Sequence, residues 1–235
     1  MRPNCSLLLL AFLAFATGPK ALATETNRSF AKWEKTIAAF ERADATNPPP
    51  QGAILFIGSS TIRLWQTLAE DFPHHRVINR GFGGSEIVDA THFADRIIFP
   101  YAPRAIFFRS GGNDIDAGKS AAQVFADFKE FVTTIHAKLP ATDIYYIAWS
   151  PTLLRWGNRD READLNRLVK QLSTTQTHLK YIAADAFVLG PDGKPRAELL
   201  RADKLHFSGA GYKLLTEIIR PYIPEEPDPV APAKP

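Results

Sequence analysis

The sequence predicts an α/β fold in three layers, a parallel sheet with helices on both faces. Two observations carry this. Short, wholly apolar runs of strand length recur along the chain, and each pair of runs is separated by a longer segment with helical apolar spacing. Strands buried on both faces read as continuous apolar runs, and helical connections between parallel strands favour right-handed crossovers that cover both sides of a sheet.

The elements follow in order. Residues 29–43 place Phe30, Trp33, Ile37 and Phe40 at spacings of three and four, an amphipathic helix that ends at Asn47-Pro48-Pro49-Pro50. Residues 53–57 form the first apolar run, stopped by Gly58. Further strands are expected at Val77-Ile78, at 105–108, at 144–148 and, more weakly, at 181–183. Helical patterns lie at 62–72, 87–98, 121–138 and 160–172, and a last helix at 209–219 closes the domain.

The two ends read differently. Residues 1–23 carry Arg2, an apolar run over 7–15 and the small-residue sequence Ala21-Leu22-Ala23, the layout of a secretory signal peptide. Gly18, Pro19 and Lys20 interrupt that run before the roughly 18 apolar residues a membrane span needs. The expectation is an exported protein, periplasmic or extracellular, with no stable membrane insertion after cleavage. Residues 224–235 hold five prolines with acids between them and read as a disordered tail, leaving one domain over 24–223. The single cysteine, Cys5, lies inside the leader, so no disulfide framework exists in the mature chain. Without Arg2 and Lys20 the mature chain has 26 basic residues against 25 acidic ones, which gives no basis for a nucleic-acid-binding surface.

In an open parallel sheet, ligands bind beyond the carboxyl ends of the strands. The segments that fall there are polar or glycine-rich: Gly58-Ser59-Ser60-Thr61 after the first strand, 79–85 after the second, Ser110-Gly111-Gly112-Asn113-Asp114 after the third, and Asp203-Lys204-Leu205-His206 before the last helix. Acyl transfer needs a hydroxyl nucleophile, a base, a group that orients the base, and donors for an oxyanion. All four are available at that edge. A serine directly after a buried strand opens a helix. Asp203 and His206, three apart, share a face if they lie on a helical turn. Gly81, Gly83 and Gly84 can present backbone N–H groups, and Asn113 adds a side-chain amide.

These segments resemble the conserved blocks of the SGNH (GDSL-like) hydrolases. Gly58-Ser59-Ser60 is similar to the Gly-Asp-Ser block, with Ser59 in place of the usual aspartate and Ser60 at the nucleophile position. Asn79-x-Gly81-x-x-Gly84 and Gly111-Gly112-Asn113-Asp114 resemble the blocks whose glycine N–H and asparagine amide serve the oxyanion, and Asp203-x-x-His206 resembles the block of the base and its acid. The resemblance covers roughly residues 50–222. It implies a flavodoxin-like sheet of five strands in the order 2-1-3-4-5, and a serine esterase with the triad Ser60, Asp203 and His206. It also implies an oxyanion hole of Ser60, Gly84 and Asn113, an acyl-enzyme intermediate and no cofactor.

The dinucleotide fingerprint fails at Glu86 and the phosphate loop at Asn113, and no Gly-x-Ser-x-Gly elbow is present. His74, His75, His92, His136 and His178 lack metal-ligand spacing, so no metal site is expected. Trp65, Trp149 and Trp156, with Arg63 and Arg155, fall on segments that could rim the crevice, although packing is the commoner use of tryptophan. No long apolar segment remains for a lipid tunnel, which favours short acyl groups, such as O-acetyl on carbohydrate. An O-acyltransferase acting on a sugar hydroxyl, a lysophospholipase and a non-catalytic carbohydrate-binding protein stay open as alternatives.

Overall fold

The computed structural model describes residues 29–225. The leader read over 1–23 and most of the proline-rich tail lie outside the described residues. Five strands, β1 (Ile54–Gly58), β2 (Val77–Gly81), β3 (Ala105–Arg109), β4 (Asp143–Ile147) and β5 (Leu179–Ile182), pair in parallel in the order β2-β1-β3-β4-β5. This is the order that the resemblance implied.

Alternation along each strand splits the core into two layers. Leu55, Ile57, Ile106, Phe108, Ile144 and Tyr146 face one cluster, while Ile54, Phe56, Ala105, Phe107, Tyr145 and Ile147 face the other. On the first face pack α1 (Ala31–Thr46), α4 (Ile87–His92), α5 (Ala94–Ile97), α7 (Ala121–Lys138) and α8 (Arg159–Ser173). On the second pack α2 (Ser60–Arg63), α3 (Leu68–Asp71) and α9 (Gly209–Ile219). The one remaining short helix, α6 (Gly112–Asp116), follows β3.

Three expectations are corrected. The helix read over 62–72 is two single turns, α2 and α3, because the Asp71 carboxylate gathers Trp65 Nε1 (2.6 Å) and Thr67 Oγ1 (2.7 Å) into a turn between them. The helix read over 87–98 breaks at Phe93 into α4 and α5. Strand β2 continues past Ile78 to Gly81 through Asn79 and Arg80, whose polar side chains have internal partners. Arg80 pairs with Asp44 and donates to the Tyr101 hydroxyl (2.7 Å), and Asn79 Nδ2 donates to the Ile62 carbonyl (2.7 Å).

Among the described residues no helix is long and apolar enough to cross a membrane.

Candidate active site

The first strand ends at Gly58 with φ +151, a conformation that favours glycine, and a Cβ there would stand 2.0 Å from the Arg109 carbonyl oxygen of neighbouring β3. The tight approach turns the chain directly into α2, and the two serines diverge. Ser59 is buried and its hydroxyl has no partner among the described residues, whereas Ser60, the first residue of α2, is half-buried with its Oγ 2.9 Å from His206 Nε2. Because α2 is a single turn, any helix-dipole contribution at Ser60 is small.

His206 Nδ1 lies 2.7 Å from Asp203 Oδ2, so Asp203, His206 and Ser60 form one hydrogen-bonded line. Asp203 and His206 do not sit on a helical turn. They occupy an irregular segment before α9, in which Lys204 takes φ +58 and Asp203 Oδ1 accepts the N–H groups of Leu205 and His206, both at 2.9 Å. One carboxylate oxygen therefore shapes the loop, and the other holds the imidazole. Partial burial works to raise the Asp203 pKa, but the His206 ring and these two N–H groups overcome it and bring the carboxyl down to about 2. The whole segment is fastened to the nucleophile side by α9, where the Tyr212 hydroxyl donates to the Thr61 carbonyl at 2.8 Å.

Asn113, on α6, shares a small cavity with Ser60 and His206. Its Nδ2 donates to the Ser85 carbonyl at 2.8 Å, and its Oδ1 accepts Arg155 Nη1 at 3.0 Å. Gly84, with φ +83, is exposed in the loop held by that first bond, and its ring neighbour is Trp33, 3.5 Å from where a Cβ would stand. Gly81 and Gly83 serve another purpose than presenting N–H groups. The Gly81 N–H goes to Asn79 Oδ1 (2.9 Å), and a Cβ at Gly81 would meet the Arg63 backbone nitrogen at 2.1 Å, one at Gly83 the Arg63 side chain at 2.5 Å. Both are close-approach positions for α2.

Of the tryptophans, Trp65 is buried in the core against Phe56, Phe72 and Tyr212, not at a rim. Trp149 lines the cavity and explains the two glycines before Asn113. A Cβ at Gly112 would lie 2.7 Å from its ring, and its Nε1 donates to the Ser110 carbonyl at 2.7 Å. Arg155 also lines the cavity, with Nη2 3.0 Å from Asp116 Oδ2, while Trp156 stands beneath the Arg159 guanidinium, 4.9 Å from ring centre to cation.

The sequence did not point to Arg109 as part of this neighbourhood. It is fully buried at the end of β3, donates to the Ala148 carbonyl, and packs over the Trp149 ring at 4.6 Å; desolvation pulls its pKa down to about 10. Nor did it show the brace behind Asn113. Lys119 Nζ approaches Glu86 (3.1 Å), Asp114 (3.5 Å) and Asp127 (2.9 Å), and the buried Asp114 carboxylate also accepts the Ile87 N–H, joining α6 to the start of α4. Burial raises the Asp114 pKa to about 7 despite Lys119. Lys119 and Glu86 lie far apart in sequence, and no local pattern announces their approach.

The cavity holding Ser60, Asn113 and His206 has a volume of about 20 Å³. A larger hollow of about 610 Å³ beside β5, lined by Tyr145, Tyr181 and Tyr222 among others, contains none of these residues. Among the described residues no group of three or more His, Cys, Asp and Glu is arranged to hold a metal ion.

The fold agrees with comparisons to known proteins. A structure from Streptococcus pneumonia, whose description refers to platelet activating factor, superposes with a TM-score of 0.73 at 20% identity over 82% of this chain and 94% of that one. A GDSL-like lipase from Bacteroides thetaiotaomicron gives 0.67 at 15% identity, covering 83% and 98%. An acetyl-xylooligosaccharide esterase from Geobacillus gives 0.58 at 18%, covering 73% and 94%. At these identities the likeness carries the fold alone. No curated protein matches the chain. The model of the GDSL-like Lipase/Acylhydrolase family matches residues 57–214, from the end of β1 into α9, and by that match the chain belongs to this family and is a hydrolase acting on esters.

Proposed function

We propose that the protein is an exported serine esterase that removes short acyl groups, with O-acetyl groups on carbohydrate as the substrate class. The observation that carries the reading is the unbroken hydrogen-bonded line Asp203–His206–Ser60 opening on a cavity of about 20 Å³. That volume is roughly the room one water or one methyl group needs. A cavity this small beside Ser60 favours a short acyl group over a long chain. The acetyl-xylooligosaccharide esterase among the structural neighbours points to the same substrate class.

In the proposed reaction His206 Nε2 takes the proton of Ser60 Oγ as that oxygen attacks the ester carbonyl, while Asp203 holds and stabilises the imidazolium. The tetrahedral oxyanion is met by the Asn113 amide and by the Ser60 and Gly84 N–H groups. His206 then returns the proton to the leaving alcohol. Water, deprotonated by the same imidazole, attacks the acyl-enzyme, and His206 returns that proton to Ser60 Oγ as the acid leaves.

Hydrolysis of p-nitrophenyl acetate, butyrate and octanoate tests the reading. Ser60→Ala should lower kcat by at least about 10³-fold, leaving the residual rate that oxyanion contacts provide. Ser59→Ala should retain activity within about ten-fold, because its hydroxyl is buried away from His206. Loss in Ser59→Ala with retention in Ser60→Ala would reverse the assignment, and a preference for octanoate would remove the short-acyl reading. Addition of an acceptor sugar separates hydrolysis from acyl transfer: acylated sugar in place of free acid would make the protein a transferase.

Export rests on the composition of residues 1–23. Cleavage after Ala23 predicts that the processed protein begins at Thr24, which N-terminal sequencing reads directly.

A further inference from the structure

An asparagine amide is an effective oxyanion donor only if its nitrogen, not its oxygen, faces the substrate, and the two ends have nearly the same shape. At Asn113, Arg155 removes that ambiguity together with the Ser85 carbonyl, an acceptor that can meet only the amide nitrogen. A guanidinium has no acceptor, so its Nη1, 3.0 Å from Asn113, can meet only the amide oxygen. The amide nitrogen is thereby turned to the other side, where one of its hydrogens goes to the Ser85 carbonyl at 2.8 Å and the second is left to donate.

Arg155 is itself held. Its Nη2 lies 3.0 Å from Asp116 Oδ2, the other oxygen of Asp116 accepts Asn158 Nδ2 at 2.9 Å, and Asn158 Oδ1 accepts Arg161 Nη2 at 2.6 Å. A chain of charge-assisted bonds thus runs from the start of α8 to the amide of Asn113, and the side chain of Arg155 is largely buried, 19% exposed. We infer that Arg155 is a positioning residue of this esterase: it selects the reactive orientation of the Asn113 amide and, by donating to its oxygen, polarises its N–H bonds toward the developing oxyanion. Hydrogen bonds in such chains strengthen one another, so a cation at the oxygen makes the nitrogen a better donor. Arg155 lines the same cavity, but the bonds of its guanidinium run to Asn113 and Asp116, so its proposed action is through Asn113. The inference rests on the assignment of Asn113 as an oxyanion donor given above.

A double-mutant cycle on the mature enzyme tests it, with kcat and KM for p-nitrophenyl acetate and thermal unfolding read for each protein. Asn113→Ala should lower kcat by about 10²-fold or more, the usual effect of losing one oxyanion donor. Arg155→Met, which keeps the aliphatic stem, should lower kcat by about ten-fold with KM unchanged within about two-fold, since the bond it removes acts in the transition state. Combined with Asn113→Ala, Arg155→Met should add no more than about two-fold, because nothing remains for it to orient. Should Arg155→Met unfold, Arg155→Lys enters the same cycle. Its ammonium keeps the charge and a donor but lacks the guanidinium fork, so the fall is smaller than for Arg155→Met and the non-additivity is the same.

Multiplicative losses in the double variant would overturn the inference, as would a raised KM with kcat preserved, which would mean that Arg155 binds substrate. If Asn113→Ala is impaired and Arg155→Met is not, only the role of Arg155 fails. Full activity in Asn113→Ala would instead remove the oxyanion assignment on which it rests.

Discussion

At the scale of single residues, the two adjacent serines show how far neighbours in sequence can differ in chemistry. Ser59 ends with its hydroxyl buried and unpartnered, Ser60 with its hydroxyl on an imidazole. Asp203 contributes in two ways, through the loop N–H groups on one oxygen and the His206 ring on the other. Asp203→Asn should therefore lower kcat by about 10³- to 10⁴-fold, because an amide in that place disfavours the imidazole tautomer that carries its proton toward the aspartate. Steady-state hydrolysis checks this, and a loss under about ten-fold would contradict it.

Glu162 is a residue-scale liability: it is buried, one oxygen has no partner, and desolvation raises its pKa to about 7, with Arg109 only partly offsetting the effect. A carboxyl with a raised folded-state pKa binds its proton more tightly when folded, so its contribution favours folding as pH falls from about 7 toward the unfolded value near 4 and disfavours it on the way back up. Glu162→Gln is accordingly expected to stabilise the protein by about 1 to 3 kcal/mol at pH 8 and by much less at pH 5. Chemical denaturation at the two pH values reads the difference. An equal effect at both would refute it.

At the scale of elements, the site depends on close backbone approaches that only glycine allows. Gly58 against Arg109 and Gly112 against the Trp149 ring are the two that set the turns carrying Ser60 and Asn113. Gly112→Ala would force the indole to move and should both destabilise the fold by more than about 1 kcal/mol and lower kcat, whereas Gly118→Ala, although strained by φ +100, meets no atom within 4 Å and lies outside the site. Thermal unfolding and kcat measured together separate the two: Gly118→Ala should lose stability alone.

The elements also show what could be read in advance. α7 was legible to the residue because Val124, Phe128, Val132 and Ile135 keep helical spacing over its whole length. The break between α2 and α3 was not, since Trp65, Leu68 and Phe72 reach one core whether or not the helix is continuous. α6 carries no apolar periodicity in the sequence, because it opens on glycine and spans little more than one turn. The extension of β2 was hidden by Asn79 and Arg80, polar residues that an edge strand can hold when distant side chains satisfy them.

At the scale of the whole molecule, parallel pairing is what gathers the candidate site. Because β1, β2 and β3 run the same way, their carboxyl ends bring 58–60, 81–85 and 110–113 to one edge, and α9 anchors the Asp203–His206 loop against α2 from the other side. That convergence follows from the order of strand and motif, which is why the segments of the candidate site could be named from sequence. The angle of approach could not. The helical turn expected for Asp203 and His206 is an irregular loop, and the links from Arg155 and Trp149 to the Asn113 segment cross between distant parts of the chain.

The claim on which the account depends is that Ser60, and no other serine, carries the acyl group. Treatment of the mature enzyme with a phosphonofluoridate or sulfonyl fluoride, followed by intact-mass measurement and peptide mapping, tests it most directly. One adduct per chain is expected, placed on Ser60, formed in parallel with loss of esterase activity and absent from Ser60→Ala. An adduct on Ser59, or stoichiometric labelling that leaves activity intact, would contradict it.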